Sequence, residues 1–239
     1  MAFISQLKSK LVPIAKWLRG DEKHLKLQVQ CDAKWYGNRY GGFFIHPELL
    51  RPDSIVYSFG IGEDITFDEA IIQKHGCDVF GFDPTPKSIR WVKQNNRSEH
   101  FKFFEFGLGA TSGAVDFFLP KNPDYVSGSV LLKDHVSEKE RVTVQLKSLA
   151  DTMVQLGHSH IDVLKMDIEG AEYNVIAALG KTDISIDQIL IEFHDRFFEN
   201  GLAKTKASID ILKSKGYAVF AVSESKEEIS FIRKSLISG

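Results

Sequence analysis

The chain has 239 residues, of which 43% are hydrophobic and 26% are charged, a composition typical of folded proteins. Its formal net charge of -2 provides no positive field for a polyanion, so we expect no nucleic-acid partner. The two cysteines, Cys31 and Cys77, form no CxxC pair, which argues against a zinc or disulfide framework and favours a reducing, cytoplasmic compartment. No apolar run reaches the roughly 18 residues of a membrane span, and the first residues lack a secretory signal pattern.

The first twenty residues are basic and have apolar side chains at helical spacing. They include four basic and no acidic residues, and Pro13 interrupts the pattern. We expect a helix that packs across the main domain or covers its site; the alternative is weak, peripheral contact with an anionic membrane surface. The expected organisation is an N-terminal helical extension, residues 1–50, followed by one α/β domain, residues 51–239. The sequence leaves the oligomeric state open.

From residue 54 onward, predicted strands and helices alternate. The predicted strands are 55–59, 77–82, 101–106, 114–119, 142–146, 161–166, 186–193, 217–222 and 228–232. The predicted helices are 64–75, 88–95, 148–156, 169–179 and 204–215. A Gly/Ser/Pro/Asp-rich stretch, residues 121–129, is expected to be a surface loop near the site. This order predicts an α/β fold with a mostly parallel sheet and a C-terminal antiparallel hairpin.

Two features at the first strand ends favour a nucleotide-like cofactor. Ser58, Gly60 and Gly62 lie where the first strand turns into the first helix, and glycines there allow close approach of a ligand to the backbone. Asp83, followed by Pro84, ends the second strand about 20 residues later, where an acid can accept hydrogen bonds from ribose hydroxyls. Each feature also has a purely structural interpretation, as a turn and as a helix N-cap. The missing third glycine argues against NAD or FAD.

Acidic residues and a histidine follow two later strands. Asp167, Glu169 and Glu172 lie within six residues at a strand-to-helix junction, where the helix dipole also favours acids. Glu192 and His194 end the next predicted strand and point to the same side. Such groups can deprotonate a substrate hydroxyl. A divalent metal held by Asp167, Glu192 and His194 is the less favoured alternative.

These motifs, in this order, resemble the FkbM family of S-adenosylmethionine-dependent methyltransferases. The strongest match is KMDIEGAE at residues 165–172, followed by IEFH at 191–194. SFGIGEDITFDEA at 58–70 and GFDPTPKS at 81–88 also look like this family, and the resemblance covers about residues 54–233. It implies a Rossmann-like class I methyltransferase fold that binds S-adenosylmethionine.

The resemblance also implies roles for individual residues. By position, Gly60 and Gly62 would line the methionine part of the cofactor, and Asp83 would hold the ribose. Gly107 and Leu108 would border the adenine. The expected cofactor set also includes Ser58, Pro84 and Asp167, the last facing both the methyl donor and the substrate, with Glu192 and His194 nearby.

One position departs from a common pattern. Many methyltransferases have an acid two residues before the first glycine of this turn, and this chain has Ser58 there. Ser58 can hydrogen-bond but offers no charge to the ammonium group of the cofactor. Glu63 or Asp64 is expected to supply that charge instead.

The expected reaction is transfer of a methyl group to a hydroxyl of a sugar, glycan or other small metabolite. His194 or Asp167 is the predicted base, and Glu192 orients its partner. One alternative is an NAD-dependent oxidoreductase, against which the incomplete glycine motif and the lack of an obvious Tyr-x-x-x-Lys pair argue. Another is a catalytically degenerate methyltransferase fold that binds a cofactor or a partner. The concentration of acids argues against such decay, because unpaired buried acids are costly.

Overall fold

The computed structural model of the protein describes residues 23–120 and 136–237. Its strands are β1 (Lys34–Tyr36), β2 (Phe43–Ile45), β3 (Ile55–Phe59), β4 (Asp78–Phe82), β5 (Phe101–Phe104), β6 (Gly107–Leu108), β7 (Gly113–Pro120), β8 (Val136–Lys147), β9 (His160–Met166), β10 (Ser185–Glu192), β11 (Tyr217–Val222) and β12 (Glu228–Arg233). Its α-helices are α1 (Thr66–His75), α2 (Pro86–Asn95), α3 (Leu149–Leu156), α4 (Glu172–Leu179) and α5 (Gly201–Ser214). The helix expected within residues 1–20 and the loop expected at 121–129 lie outside the described residues.

The main sheet of the described chain has seven strands in the order β5-β4-β3-β9-β10-β12-β11. The first five strands in this order, β5, β4, β3, β9 and β10, are mutually parallel. Strand β12 is antiparallel to both of its neighbours, β10 and β11. This confirms the predicted α/β fold with a C-terminal antiparallel hairpin. The strand order reverses between β3 and β9, and open sheets of this kind bind ligands beyond the carboxyl ends of the strands at that point.

Helices and apolar side chains cover both faces of the sheet. Strand β3 contributes to both faces, since Val56 belongs to one buried cluster and Tyr57 to the other. The first cluster includes Phe67 and Ile71 of α1, and the second includes residues of α3, α4 and α5. A strand buried on both faces reads as a nearly continuous apolar run, as residues 55–59 do except at Ser58.

Residues 34–45 are a β-hairpin, so the expected helical extension over residues 1–50 is wrong in this part. Strands β1 and β2 pair antiparallel, and Trp35 packs edge-on against Phe44 with ring centroids 5.0 Å apart. Phe43 and Ile45 are fully buried in the core of the main domain. Aromatic residues on either side of a glycine-rich turn favour a hairpin over a helix. The division into an extension and a domain stays a prediction.

Two of the differences between predicted and observed bounds lie beside the site. Helix α4 begins at Glu172 and not at residue 169, because Glu169 and Gly170 have φ angles of +53° and +97°. The predicted strand 101–106 ends at Phe104 as β5, and the next strand, β6, joins β8 and β7 in a three-stranded sheet. Both differences lie at the carboxyl edge of the main sheet, beside the crevice where the strand order reverses.

Among the helices of residues 23–120 and 136–237, none is both long enough and apolar enough to cross a membrane.

Candidate active site at the carboxyl edge of the sheet

A cleft opens at the point where the strand order reverses, between the ends of β3 and β9. It encloses about 750 Å³ of empty space, including its opening to solvent. Seven residues predicted to bind cofactor line it: Gly60, Gly62, Asp83, Pro84, Gly107, Leu108 and Asp167. Ligand sites commonly have such a volume and position. The structure therefore brings most of the predicted cofactor residues together in one cleft.

Position 60 has no room for a side chain, because the backbone of Asp167 lies against it across the crevice. Its φ angle is +80°, and a Cβ atom at this position would lie 1.6 Å from the backbone oxygen of Asp167. The N–H of Asp167 donates to the backbone oxygen of Phe59 at 3.1 Å, which keeps the two strand ends together. The absence of a side chain at Gly60 thus lets the ends of β3 and β9 pack closely, and it also leaves the backbone open to a ligand.

Asp83 fastens the glycine turn to the second strand end. Its Oδ2 accepts the backbone N–H groups of Ile61 and Gly62 at 3.1 and 2.9 Å, and its Oδ1 accepts the N–H and hydroxyl of Thr85 at 2.8 and 2.7 Å. A carboxylate offers about four acceptor positions, and these four donors fill them. Burial raises the pKa of Asp83, and these hydrogen bonds oppose that shift. The role at the ribose stays a prediction; the geometry shows Asp83 shaping the cleft.

Three residues predicted to contact the cofactor do not line this cleft. Ser58 is fully buried in the core. Glu63 forms an ion pair with Lys87 at 3.2 Å, and Asp64 accepts the N–H of Thr66 at 2.8 Å at the start of α1. Glu63 and Asp64 hold the turn into α1 in place.

A buried lysine lies beneath the glycine turn. The Nζ of Lys165 donates to the backbone oxygen of Gly60 at 2.8 Å, and its side chain is almost completely buried. Asp68 of α1 is buried nearby; burial raises its pKa to about 6, against the opposing effect of the Lys165 charge and of Ser58. This network supports the turn from the side away from the cleft.

Four carboxylates surround one imidazole at the ends of β9 and β10. This acid–histidine cluster consists of Asp167, Glu169, Glu172, Glu192 and His194. Within it, His194 Nε2 lies 3.7 Å from Asp167 Oδ1, 3.6 Å from Glu169 Oε2 and 3.5 Å from Glu192 Oε1. Asp167 and Glu169 also line the cleft, so the cleft and the cluster are contiguous.

Glu172 holds the two loops of the cluster together. Its carboxylate is fully buried and accepts the N–H of Gly170 at 2.8 Å and the N–H of His194 at 2.9 Å. Its Oε1 also lies 3.4 Å from the Nδ1 of His194. The helix dipole therefore explains only part of the presence of an acid at position 172. The carboxylate also joins the loop after β9 to the loop after β10.

The cluster shifts the pKa values of two of its members in the same direction. Burial disfavours the charged form of His194, but the carboxylates of Glu172, Asp167 and Glu169 raise its pKa to about 9. Burial also raises the pKa of Glu192, and the charge of Asp167 adds to this shift. Arg196 contacts Glu192 at 3.5 Å and Glu227 at 2.7 Å.

Two groups of side chains in the described residues have ligand atoms close enough to share a metal ion. One is Asp167, Glu192 and His194 in the cluster. The other is His160, Asp162 and Asp187, at the opposite, amino ends of the same two strands. In each group the ligand atoms lie within 4.8 Å of one another.

Several lining residues were not predicted as site residues. They are Ile61, Thr85, Phe117, Leu146, Ile168, Glu169 and Ala171. Glu169 and Ile168 stand beside Asp167 in the acidic motif, so that motif contained the signal. Phe117 and Leu146 come from β7 and β8, whose separate sheet folds over the cleft, and no local pattern in the sequence indicates this placement.

Comparison with known proteins identifies the family. A family model described as the methyltransferase FkbM domain matches residues 54–219. The 2-O-methyltransferase NoeI of Sinorhizobium fredii is 27% identical over 180 residues, which cover 70% of this chain and 74% of NoeI. The probable methyltransferase-like protein 24 of Homo sapiens is 29% identical over 154 residues, 64% of this chain but only 36% of the human protein.

Solved structures include a methyltransferase FkbM from Methylobacillus flagellatus. It superposes with a TM-score of 0.48 at 12% identity, over 80% of this chain and 46% of that chain. The family match covers well over half of the sequence and contains the glycine turn, Asp83, the acidic motif and His194. The expected resemblance is confirmed: this chain belongs to the FkbM methyltransferase family.

Proposed function

We propose that this protein transfers a methyl group from S-adenosylmethionine to a hydroxyl oxygen of a sugar, glycan or other small metabolite. The observation that carries the proposal is that Asp167 belongs both to the wall of the cleft and to the acid–histidine cluster. A cofactor in the cleft and an acceptor at the cluster would then meet at one carboxylate. The similarity to NoeI, whose name describes a 2-O-methyltransferase, favours oxygen as the acceptor atom.

The residues that line the cleft support S-adenosylmethionine as the cofactor. Leu108, Phe117 and Leu146 provide apolar walls for an adenine ring. Asp167 and Glu169 place carboxylates on the wall where a cationic group would be stabilised. When bound, the cofactor supplies a methyl group already made electrophilic by its sulfonium charge.

The residues of the chain supply orientation and a base. Asp83 and Lys165 hold the glycine turn, so the cleft is formed before a ligand enters. The side chain of Asp167 is 25% exposed, whereas that of His194 is 1% exposed. Because Asp167 lines the cleft and the His194 side chain is almost completely buried, we assign the base to Asp167. His194 and Glu192 position this carboxylate.

The test combines cofactor binding with turnover. Calorimetric titration is expected to show micromolar binding of S-adenosylmethionine and S-adenosylhomocysteine and no binding of NAD. Release of S-adenosylhomocysteine is then measured against a panel of sugars and other hydroxylated acceptors. With cofactor at saturation, Asp167→Asn should lower turnover by about 100-fold or more, the usual contribution of a general base. Asp187→Asn, at the opposite sheet edge, is the matched control and should change neither cofactor binding nor turnover.

Each component of the proposal has an outcome that contradicts it. If neither sulfur compound binds, the cofactor is wrong. If both bind but the wild-type protein methylates no acceptor in the panel, the binding-module alternative is favoured. If Asp167→Asn turns over at the wild-type rate, another group is the base.

A further inference from the structure

We infer that the acid–histidine cluster is a divalent-cation site in which Asp167, Glu192 and His194 are the protein ligands. These residues offer two carboxylates and one imidazole from the ends of two adjacent strands, β9 and β10. The site rests on the geometry and the local charge of the cluster. Its role in catalysis, given below, rests on the proposed function.

The distances are those of ligands around a shared ion and not those of hydrogen bonds. The Nε2 of His194 lies 3.5 Å from Glu192 Oε1 and 3.7 Å from Asp167 Oδ1. An N–H···O hydrogen bond spans about 2.7–3.2 Å. Two neighbouring ligands at about 2.1 Å from one ion are about 3.0 Å apart in an octahedral site and about 3.4 Å apart in a tetrahedral one. The two distances from Nε2 are slightly longer than these separations, and all three ligand atoms lie within 4.8 Å of one another.

The imidazole is buried and aimed into the cluster. His194 is 1% exposed, and the nearest of the acidic oxygens around its Nε2 lies 3.5 Å away, beyond hydrogen-bond distance. The Nδ1 faces Glu172 Oε1 at 3.4 Å, which favours a proton on that nitrogen. The lone pair of Nε2 then points at three carboxylates, an arrangement that is repulsive unless a cation or a proton lies between them. Metal-bound histidines commonly have this carboxylate behind the ring.

The local charge also favours a cation. The cluster holds four carboxylates, and the basic side chains in contact with it are His194 and Arg196. Arg196 is shared with Glu227, which it contacts at 2.7 Å. Two carboxylates and one imidazole suit Mg²⁺, Mn²⁺ or another hard-to-borderline ion.

The cleft gives the ion a catalytic use if the proposed function holds. Asp167 lines the cleft, so the open side of the ion would face the space assigned to the acceptor. An acceptor hydroxyl held there would be more acidic, so that the second oxygen of the Asp167 carboxylate could take its proton.

The experiment titrates the chelator-treated, dialysed protein with Mn²⁺ and measures free Mn²⁺ by electron paramagnetic resonance. One Mn²⁺ per chain is expected to bind. His194→Gln, Asp167→Asn and Glu192→Gln should each weaken binding at least tenfold. His160→Gln and Asp187→Asn replace the same residue types at the other end of the strands and should bind as the wild type does.

Circular dichroism identifies variants that have not folded, and the remaining ligand variants decide the result. The inference is overturned if the wild type binds no Mn²⁺ at millimolar concentration. A proton shared between His194 and the carboxylates would then hold the cluster together. The inference is also overturned if folded ligand variants bind normally, or if only the His160→Gln and Asp187→Asn variants lose binding. S-adenosylmethionine binding measured with chelator present separates this failure from failure of the proposed function.

Discussion

Strands β9 and β10 carry a histidine and two carboxylates at each end, and the two groups are bonded differently. At the amino ends, Asp162 accepts the hydroxyl of Ser54 at 2.9 Å and the N–H of Ile55 at 2.7 Å. His160 reaches Asp187 at 3.1 Å. These side chains satisfy one another and the adjacent backbone, so the group is already complete without a ligand.

At the carboxyl ends, the carboxylates surround the imidazole without reaching hydrogen-bond distance. No acid lies closer than 3.4 Å to a ring nitrogen of His194, although four acids lie within 3.7 Å. Each end has one histidine, but two acids surround it at the amino ends and four at the carboxyl ends. The two histidines are also bonded differently, because His160 is hydrogen-bonded to Ser185 and Asp187, whereas the ring nitrogens of His194 lie 3.4 Å or more from the acids around them. The following predictions separate the two ends, from the largest expected effect to the smallest.

The first prediction compares two glycines with positive φ at opposite edges of the sheet. Gly60→Ala is expected to cost about 3 kcal/mol or more, or to prevent folding, because its Cβ would overlap the backbone of Asp167. Gly76 has φ +70° with no atom within 4 Å of the added Cβ, so Gly76→Ala should cost only about 1 kcal/mol. Urea unfolding measures both. Equal costs would show that the two strand ends are not held together at Gly60.

The second prediction concerns the buried cation beneath the glycine turn. Lys165→Met removes the donor to the Gly60 oxygen and the charge that opposes the raised pKa of the buried Asp68, which should cost about 1–3 kcal/mol. Lys215→Met, which removes a surface pair with the fully exposed Asp183, should change stability far less.

The cost of Lys165→Met should depend on pH in a defined direction. The folded-state pKa of Asp68, about 6, lies above its ordinary 3.8, so its stabilising contribution is present at low pH and is lost as pH rises through 6. Removing Lys165 raises this pKa further. The variant should therefore be more destabilised at pH 8 than at pH 5. A pH-independent difference would show that Asp68 does not sense Lys165.

The third prediction compares two carboxylates that tie backbone segments, one at each end of the strands. Glu172→Gln and Asp162→Asn each replace an acceptor oxygen by a donor, which should cost about 1–3 kcal/mol of folding stability. Only Glu172→Gln should also lower methyl transfer, because its carboxylate holds the loop of His194. Unfolding and turnover are measured on the same preparations. Loss of turnover in Asp162→Asn would remove the functional distinction between the ends.

Much of the site could be predicted because topology gathers strand ends. Gly60, Asp83 and Asp167 each follow a predicted parallel strand, and the carboxyl ends of parallel strands meet at one edge. The position of Ser58, two residues before Gly60, predicts that it contacts the cofactor. Because β3 is buried on both faces, its sequence does not show which way this side chain points. The direction of Glu169 depends on its φ of +53°, which helix periodicity does not indicate.

The part of the fold that could not be predicted depends on contacts between residues that are far apart in the sequence. The hairpin of β1 and β2 is held by Gln188, which donates to the backbone oxygen of His46 at 3.0 Å and accepts its N–H at 2.8 Å. These partners are 142 residues apart. Periodicity within a short window carries no information about such a contact, so the hairpin was included in an expected helical extension.

The smallest expected effect belongs to His160→Gln, and it tests the comparison most directly. The side chain of His160 is 38% exposed, so its contact with Asp187 should contribute less than about 1 kcal/mol to stability. Its removal should leave Mn²⁺ binding and methyl transfer unchanged. His194→Gln removes the same residue type from a fully buried position among four acids, where their mutual repulsion is no longer offset, so it should lower stability, cation binding and turnover together. If His160→Gln lowered turnover as well, the hydrogen-bonded group at the amino ends would also take part in function. The assignment of function to the carboxyl ends alone would then be wrong.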